Sequence, residues 1–296
     1  KEKINMSQFT GKTAVISGGA EGIGLSIAKA LAEQNMNIVL TDINEENLKK
    51  ASLELEATGV SVLSVVLDVA EEDQWEVVAE QAIARFGKVH MLVNNAGVGG
   101  DSTSIENQNK KGWQWVLDVN LMGVVFGAKV MIPLISDHGE GGWIVNVASM
   151  AGMGGVPYGG AYSATKAAVV ALSEGWAGEL ESKDINVSVL CPAFVQTRIY
   201  NSERNRPDQY KSDTKAKVDE NSFFNRAKEM VESGIDVSIV GKRVVEALND
   251  GEFYIFTHPN YREVVQMRSS EIDAAFKKAS ESPLLQHIVN QKIKML

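Results

Sequence analysis

The sequence predicts a doubly wound α/β fold, a parallel sheet of about seven strands with helices on both faces. Three observations carry this. Short β-rich runs alternate with stretches of helical period along most of the 296 residues. Several of those runs are apolar on both faces, the pattern of strands covered by helices on each side. A glycine-rich turn joins the first run to the first helical stretch.

The elements follow in order. "TAVISG" (13–18) reads as the first strand, and in "GIGLSIAKALAEQ" Ile23, Ile27 and Leu31 recur every four residues. "NIVLTD" (37–42) is the second strand, before a charged helix through "EENLKKASLELEA". "VSVLSVVLD" (60–68) precedes the helix "QWEVVAEQAIARF", and "HMLVNNAG" (90–97) precedes a helix around Trp113 to Ile132. "GWIVNVAS" (142–149) leads through a glycine-rich loop into a helix starting near Tyr162. "INVSVLCP" (185–192) and "EFYIF" (252–256) complete the set. One segment breaks the rhythm: residues 199–236 are polar, contain Pro207 and have no strand period. A connection that long is expected to be a lid or disordered, with "SFFNRAKEMVESG" as an amphipathic helix inside it. Residues 8–257 are expected to form one catalytic domain with this insertion, and 258–296 a helical tail whose expected role is subunit packing.

Composition narrows the function. The net charge of −9 and the lack of a Lys/Arg run disfavour nucleic acid. Apolar runs are interrupted short of a bilayer span, and no charged start precedes an apolar stretch, so neither membrane nor secretion is expected and the location reads as cytoplasmic. Residues 1–5 read as an addition ahead of Met6. The single cysteine, Cys191, reads as a small core residue. His90, His138, His258 and His287 show no metal-ligand spacing, so no metal is expected.

"SGGAEGIG" (17–24) places Gly18, Gly22 and Gly24 between strand and helix. Glycine permits the tight turn and a close backbone approach to a diphosphate, and the helix N-terminus offers free N–H groups. Asp42 ends the second strand, where a carboxylate accepts hydrogen bonds from adenosine ribose hydroxyls and repels a 2′-phosphate. The loop itself holds Glu21 and no cation, so NAD is expected over NADP.

Together with "NNAG" (94–97), Asn120, Ser149, "YSATK" (162–166) and "CPAFVQT" (191–197), these motifs resemble the short-chain dehydrogenase/reductase family, which has a Rossmann-type fold. The resemblance covers roughly residues 8–257 and implies a catalytic tetrad of Asn120, Ser149, Tyr162 and Lys166. It implies cofactor contacts at Gly18, Gly22, Ile23, Gly24, Asp42, Asp68, Val69, Asn95, Ala96, Gly97, Val195 and Thr197, joined by Tyr162 and Lys166. Two positions depart from the family: Ser17 stands where Thr is commoner, and Ala193 replaces the usual Gly. Four residues on a helix return to one face, so Tyr162 and Lys166 can meet one ligand. The ammonium is expected to lower the phenol's pKa toward the operating range.

Met150, Met153, Val156, Tyr158 and Phe194 are expected to line an apolar substrate pocket. "YNSERNRPDQY" and "FTHPNYREVV" resemble the branch with bacterial lignin-model alcohol dehydrogenases, which oxidise a benzylic carbinol with NAD. The expectation is an NAD-dependent dehydrogenase for a bulky hydrophobic secondary alcohol or its ketone, assembled as a homotetramer or dimer. The competing reading is a non-catalytic dinucleotide sensor or scaffold on the same fold.

Overall fold

Strands form where β-branched and aliphatic residues bury on both sides. In β1 (Thr13–Ser17) the side chains of Ala14, Val15 and Ile16 have no exposed surface, each larger one worth about 1.5–3 kcal/mol relative to exposure. β2 (Asn37–Asp42), β3 (Val62–Val66), β4 (Met91–Asn94), β5 (Gly142–Val147), β6 (Ile185–Cys191) and β7 (Tyr254–Phe256) complete a parallel sheet in the order β3-β2-β1-β4-β5-β6-β7. In a computed structural model, the chain is described over residues 7–211 and 223–293. It forms two compact units, residues 1–257 and 258–296.

In the first unit, α1 (Gly22–Ala32), α2 (Glu45–Glu56) and α3 (Glu72–Phe86) follow the first three strands. Asn44 caps α2 by accepting from the Asn47 amide at 2.9 Å. α4 (Lys110–Leu117), a π turn at Asp118–Met122 and α5 (Gly123–Asp137) form one continuous helical stretch. Its length and composition would suffice to cross a membrane. Here Val124, Ala128, Met131 and Ile135 are buried in the protein, so its apolarity serves the core. The one-turn α6 (Met150–Met153) and long α7 (Gly160–Leu180) follow β5. α8 (Phe223–Glu232) and α9 (Val237–Asn249) precede β7. One apolar cluster gathers Ile27, Leu31, Leu48 and Val244; another gathers Trp75, Val78, Met131 and Leu180.

α9 is absent from the sequence reading. It packs on α1 around Ser26, whose hydroxyl donates to the Val237 carbonyl at 2.6 Å and accepts from the Gly241 amide at 3.1 Å. A Cβ at Gly241 would collide with the Ser26 backbone. In the second unit, α10 (Arg262–Ser280) carries no buried residue, and Val264, Met267, Ile272 and Phe276 are all exposed.

Chain order reverses between β1 and β4: β1 continues outward to β2 and β3, while β4 starts the other half. Loops leaving the two strands diverge there and open a crevice at their carboxyl ends.

Candidate active site

The crevice is built first by glycine. Gly18 and Gly22 have φ of +61° and +57°, left-handed values that β-carbons resist. A Cβ on Gly18 would stand 2.9 Å from the Ala96 Cα. Gly24 lies behind the loop, against Gly18 and Asn95, so its role is packing. Asn95 ties β4 to the loop, donating from Nδ2 to the Ser17 and Gly18 carbonyls at 2.9 Å each. The Ser17 hydroxyl accepts from the Asn95 and Ala96 amides at 3.0 and 3.1 Å. Ala193 has no positive φ, so the backbone there suits a residue with a Cβ.

Asp42 closes the far end. Its carboxylate accepts from the Ala20 amide at 3.2 Å and the Asn44 amide at 2.9 Å, joining the glycine loop to the end of β2. Burial raises its pKa, opposed by those backbone bonds. Gly18, Gly22, Ile23, Asp42, Asp68, Val69, Asn95, Ala96, Gly97, Val195 and Thr197 line one cleft, together with Ser149, Tyr162 and Lys166.

Ser149 ends the turn after β5, accepting from the Ala151 amide at 3.1 Å and donating to the Pro192 carbonyl at 3.4 Å. Tyr162 and Lys166 are one turn apart on α7, with Lys166 Nζ 5.8 Å from the phenol ring centre. Lys166 is 4% exposed and donates to the Val147 carbonyl at 2.8 Å. Burial lowers its pKa to about 8. Cys191 is a buried thiol pushed up to about 12, again by burial.

The expected effect of Lys166 on Tyr162 is not what the geometry gives. Tyr162 keeps part of its surface open to the cleft, yet the surrounding protein raises its pKa, against a lowering hydrogen bond from Ser149. The ammonium is spent on the Val147 carbonyl and makes no ion pair with the phenol oxygen. In this state Tyr162 is a neutral acid at ordinary pH.

Asn120 is fully buried in the π turn, off the cleft wall. The widened turn lets its amide bridge the Val98 backbone, accepting from N–H at 2.8 Å and donating to the carbonyl at 2.9 Å. A Cβ on Gly97 would sit 3.4 Å from both Asn120 Oδ1 and Lys166 Nζ, so the two groups flank that glycine.

None of the five expected pocket residues lines this cleft. α6 turns Met150 and Met153 onto an apolar cluster with Val169 and Cys191. Val156 and Tyr158 are exposed, at 36% and 51%. The Phe194 carbonyl accepts from the Ile235 amide at 3.1 Å beside the Val195–Ile235 bridge. Val98, Trp115, Val119, Ile199, Tyr210 and Val231 supply the apolar wall instead. Polar as it is, the segment after Ile199 docks. Ser202 accepts from the Gly99 amide at 3.0 Å, Arg206 stacks over Trp115 and pairs with Asp101, and Tyr210 donates to Asp118 at 3.0 Å. Residues 212–222 of the expected lid, and the side chains of Phe223 and Phe224, lie outside the described residues.

Two groupings escape the sequence. Arg198 and Arg204 both reach Glu21 of the glycine loop, 177 and 183 residues away. His90 and His138 lie with ring centres 4.6 Å apart and planes tilted by 41°, beside Glu140 and within reach of a common ion. Each ring nitrogen already has a partner: His90 bonds the Thr13 amide and Glu140, and His138 bonds the Val89 carbonyl and the Glu140 amide.

Known proteins are similar to this chain in sequence and fold. The short chain dehydrogenase family model matches residues 12–208. A CLA biosynthesis dehydrogenase/reductase of Lactiplantibacillus plantarum is 34% identical over 90% of this chain and 95% of its own length. The C alpha-dehydrogenase of a Sphingobium species is 31% identical over 87% and 84%. A short chain dehydrogenase/reductase from Burkholderia phymatum, solved in complex with NAD, is 34% identical with a TM-score of 0.87, covering 98% of this chain and 100% of its own. With the family match spanning two thirds of the chain and the parallel sheet, glycine loop and Ser149, Tyr162 and Lys166 at one cleft, the chain belongs to the short-chain dehydrogenase/reductase family of oxidoreductases.

Proposed function

We propose that this chain is an NAD-dependent dehydrogenase that interconverts a bulky hydrophobic secondary alcohol and its ketone. The observation that carries the reading is the convergence of Ser149, Tyr162 and Lys166 on the cleft that also holds the glycine loop and Asp42. The loop fits a dinucleotide: its left-handed glycines leave the backbone bare, and the α1 N-terminus behind it favours an anion.

Asp42 would accept from the adenosine ribose hydroxyls, and a 2′-phosphate would meet its carboxylate. Lys166 would hold the nicotinamide ribose, and Val195 and Thr197 the carboxamide. A bound nicotinamide supplies hydride exchange at the carbinol carbon. The remaining work belongs to the chain. The Ser149 hydroxyl orients the substrate oxygen. Tyr162, a neutral phenol, donates its proton to a ketone oxygen in reduction and accepts it back, as phenolate, in oxidation. The Lys166 ammonium, bonded here to the Val147 carbonyl, would have to leave that bond to stabilise the phenolate. Asn120 acts by fixing the π turn and the Val98 backbone beside Gly97.

Trp115, Ile199, Tyr210 and Val231 support a hydrophobic substrate, since each Å² of apolar surface withdrawn from water contributes about 25 cal/mol. A cyclohexanol dehydrogenase of an Acinetobacter species among the relatives, 36% identical over 66% of this chain, agrees with a secondary alcohol. The exposed apolar residues of α10 support a role in subunit contact.

The test is NADH absorbance across a panel of alcohols, with Tyr162→Phe as the control. Turnover is expected to rise from short alcohols to bulky aryl carbinols and to fall roughly 10²–10⁴-fold in the variant. Best activity on sugars or hydroxy acids would reject the substrate class. NADH binding without turnover of any alcohol would favour a sensor.

A further inference from the structure

Glu21 occupies the N-cap position of α1, but its side chain makes no capping bond. The carboxylate is instead taken by two guanidinium groups. Arg198 donates from Nε at 2.8 Å and from Nη2 to one oxygen, and Arg204 donates from Nη2 to the other. Arg204 also donates from Nη1 to the carbonyls of Arg198 at 2.9 Å and Asn201 at 2.6 Å, which folds the chain after Thr197 into a compact turn. Glu21, Arg198 and Arg204 line the same cleft as Gly18, Gly22 and Ile23. Thr197, next to Arg198, lies against Gly22: a Cβ on that glycine would be 3.4 Å from Thr197 Cγ2.

The charges raise a question. A carboxylate at the mouth of an anion-binding helix end repels the ligand that the glycine loop is shaped for. One carboxylate facing two guanidiniums leaves one net positive charge there, with both forks already aimed at the loop. Guanidinium forks match phosphate oxygens as well as they match carboxylates.

We infer that Arg198 and Arg204 are the diphosphate ligands of this chain, engaged by Glu21 in this structure and exchanged from it onto the cofactor's two phosphates when it binds. The assignment rests on the dinucleotide reading above and adds to it. Charge for the diphosphate comes from the segment after β6 and not from the glycine loop. That segment also carries Ile199 and Tyr210 on the apolar wall, so seating the diphosphate fixes one side of the substrate pocket.

Calorimetric titration of the full chain with adenosine, ADP, 2′-AMP and NADH tests this, comparing wild type with Arg198→Gln, Arg204→Gln and Glu21→Gln. Arg198 is half-exposed, so its replacement should fold, and adenosine binding reports an intact site in every variant. Each arginine variant should lose roughly tenfold or more in affinity for ADP and NADH, the worth of a charge-assisted hydrogen bond, with adenosine unchanged within about twofold. Glu21→Gln, which removes the competing carboxylate, should bind ADP several-fold more tightly. Equal losses for adenosine and ADP, or no loss for either, would overturn the assignment, as would a loss confined to 2′-AMP. A wild-type chain that binds neither NADH nor ADP would overturn the dinucleotide reading itself.

Discussion

Lys166 sits where the fold and the chemistry oppose each other, and the size of that conflict can be measured. Its side chain is 4% exposed and its pKa is lowered to about 8 by burial. In the unfolded chain the amine titrates near 10.5. Between those values the unfolded state holds a proton that the folded state has released. Stability due to this group therefore rises with pH from about 8 to 10.5, and is lost again as pH falls through 8. At about 1.4 kcal/mol per pH unit, the buried ammonium costs the fold roughly 3 kcal/mol at neutral pH. Lys166→Met removes that cost along with the bond to the Val147 carbonyl, worth about 1 kcal/mol at any pH. Relative to wild type, the variant should thus be more stable at pH 7 than at pH 10 by about 2–3 kcal/mol. At about 2 °C per kcal/mol for a chain of this size, the Tm difference between variant and wild type should change by about 5 °C. Thermal scans of both proteins at the two pH values measure it. A difference that stays constant with pH would refute the claim that burial governs this lysine.

Other outcomes follow from geometry already given. Asp42→Ala should lower kcat/KM for NAD by roughly tenfold, the worth of a hydrogen bond to a charged group, while easing the exclusion of NADP; steady-state kinetics with both cofactors would show an unchanged ratio if Asp42 plays no part. Burial holds the His90 pKa below 6.5 despite its bond to Glu140. Its contribution is therefore full above 6.5 and lost as pH falls through the folded value; His90→Gln should flatten stability against pH in that acidic window in urea titrations, and an unaltered profile would exclude it. Gly241→Ala should destabilise by about 1–3 kcal/mol through overpacking on Ser26, and an unchanged Tm would show that α1 and α9 can part at no cost.

The strands and the gathering of Ser149, Tyr162 and Lys166 at one cleft were legible because both rest on local signals. A strand covered on both faces must be apolar throughout, and Ser149, Tyr162 and Lys166 stand in short motifs that keep their spacing. Asn120 was found by resemblance alone; a π turn leaves no periodic mark in sequence. What escaped was contact across long separations or through one extra turn. Arg198 and Arg204 meet Glu21 only because the chain after β6 returns over the glycine loop. Met150 and Met153 looked like pocket residues from their neighbourhood, but one turn of helix at α6 rotates them into an apolar cluster. Gly241 weakens the helical pattern of α9, and the reason for it is the Ser26 backbone on a helix some two hundred residues earlier.

That last contact bears on how the protein is made. α1 leaves the ribosome about two hundred residues ahead of α9, an interval of roughly 10–40 s at ordinary translation rates. Throughout it, Ile27 and Leu31 lack Val240 and Val244, with which they share a core in the finished protein. A nascent chain stopped near residue 208, the end of the family match, would already contain Asn120, Ser149, Tyr162 and Lys166. It would still present a bare apolar helix face to chaperones and to other nascent chains. A fragment ending there is therefore expected to be a client for chaperones, and the last fifty residues of the first unit cover the helix on which the glycine loop stands.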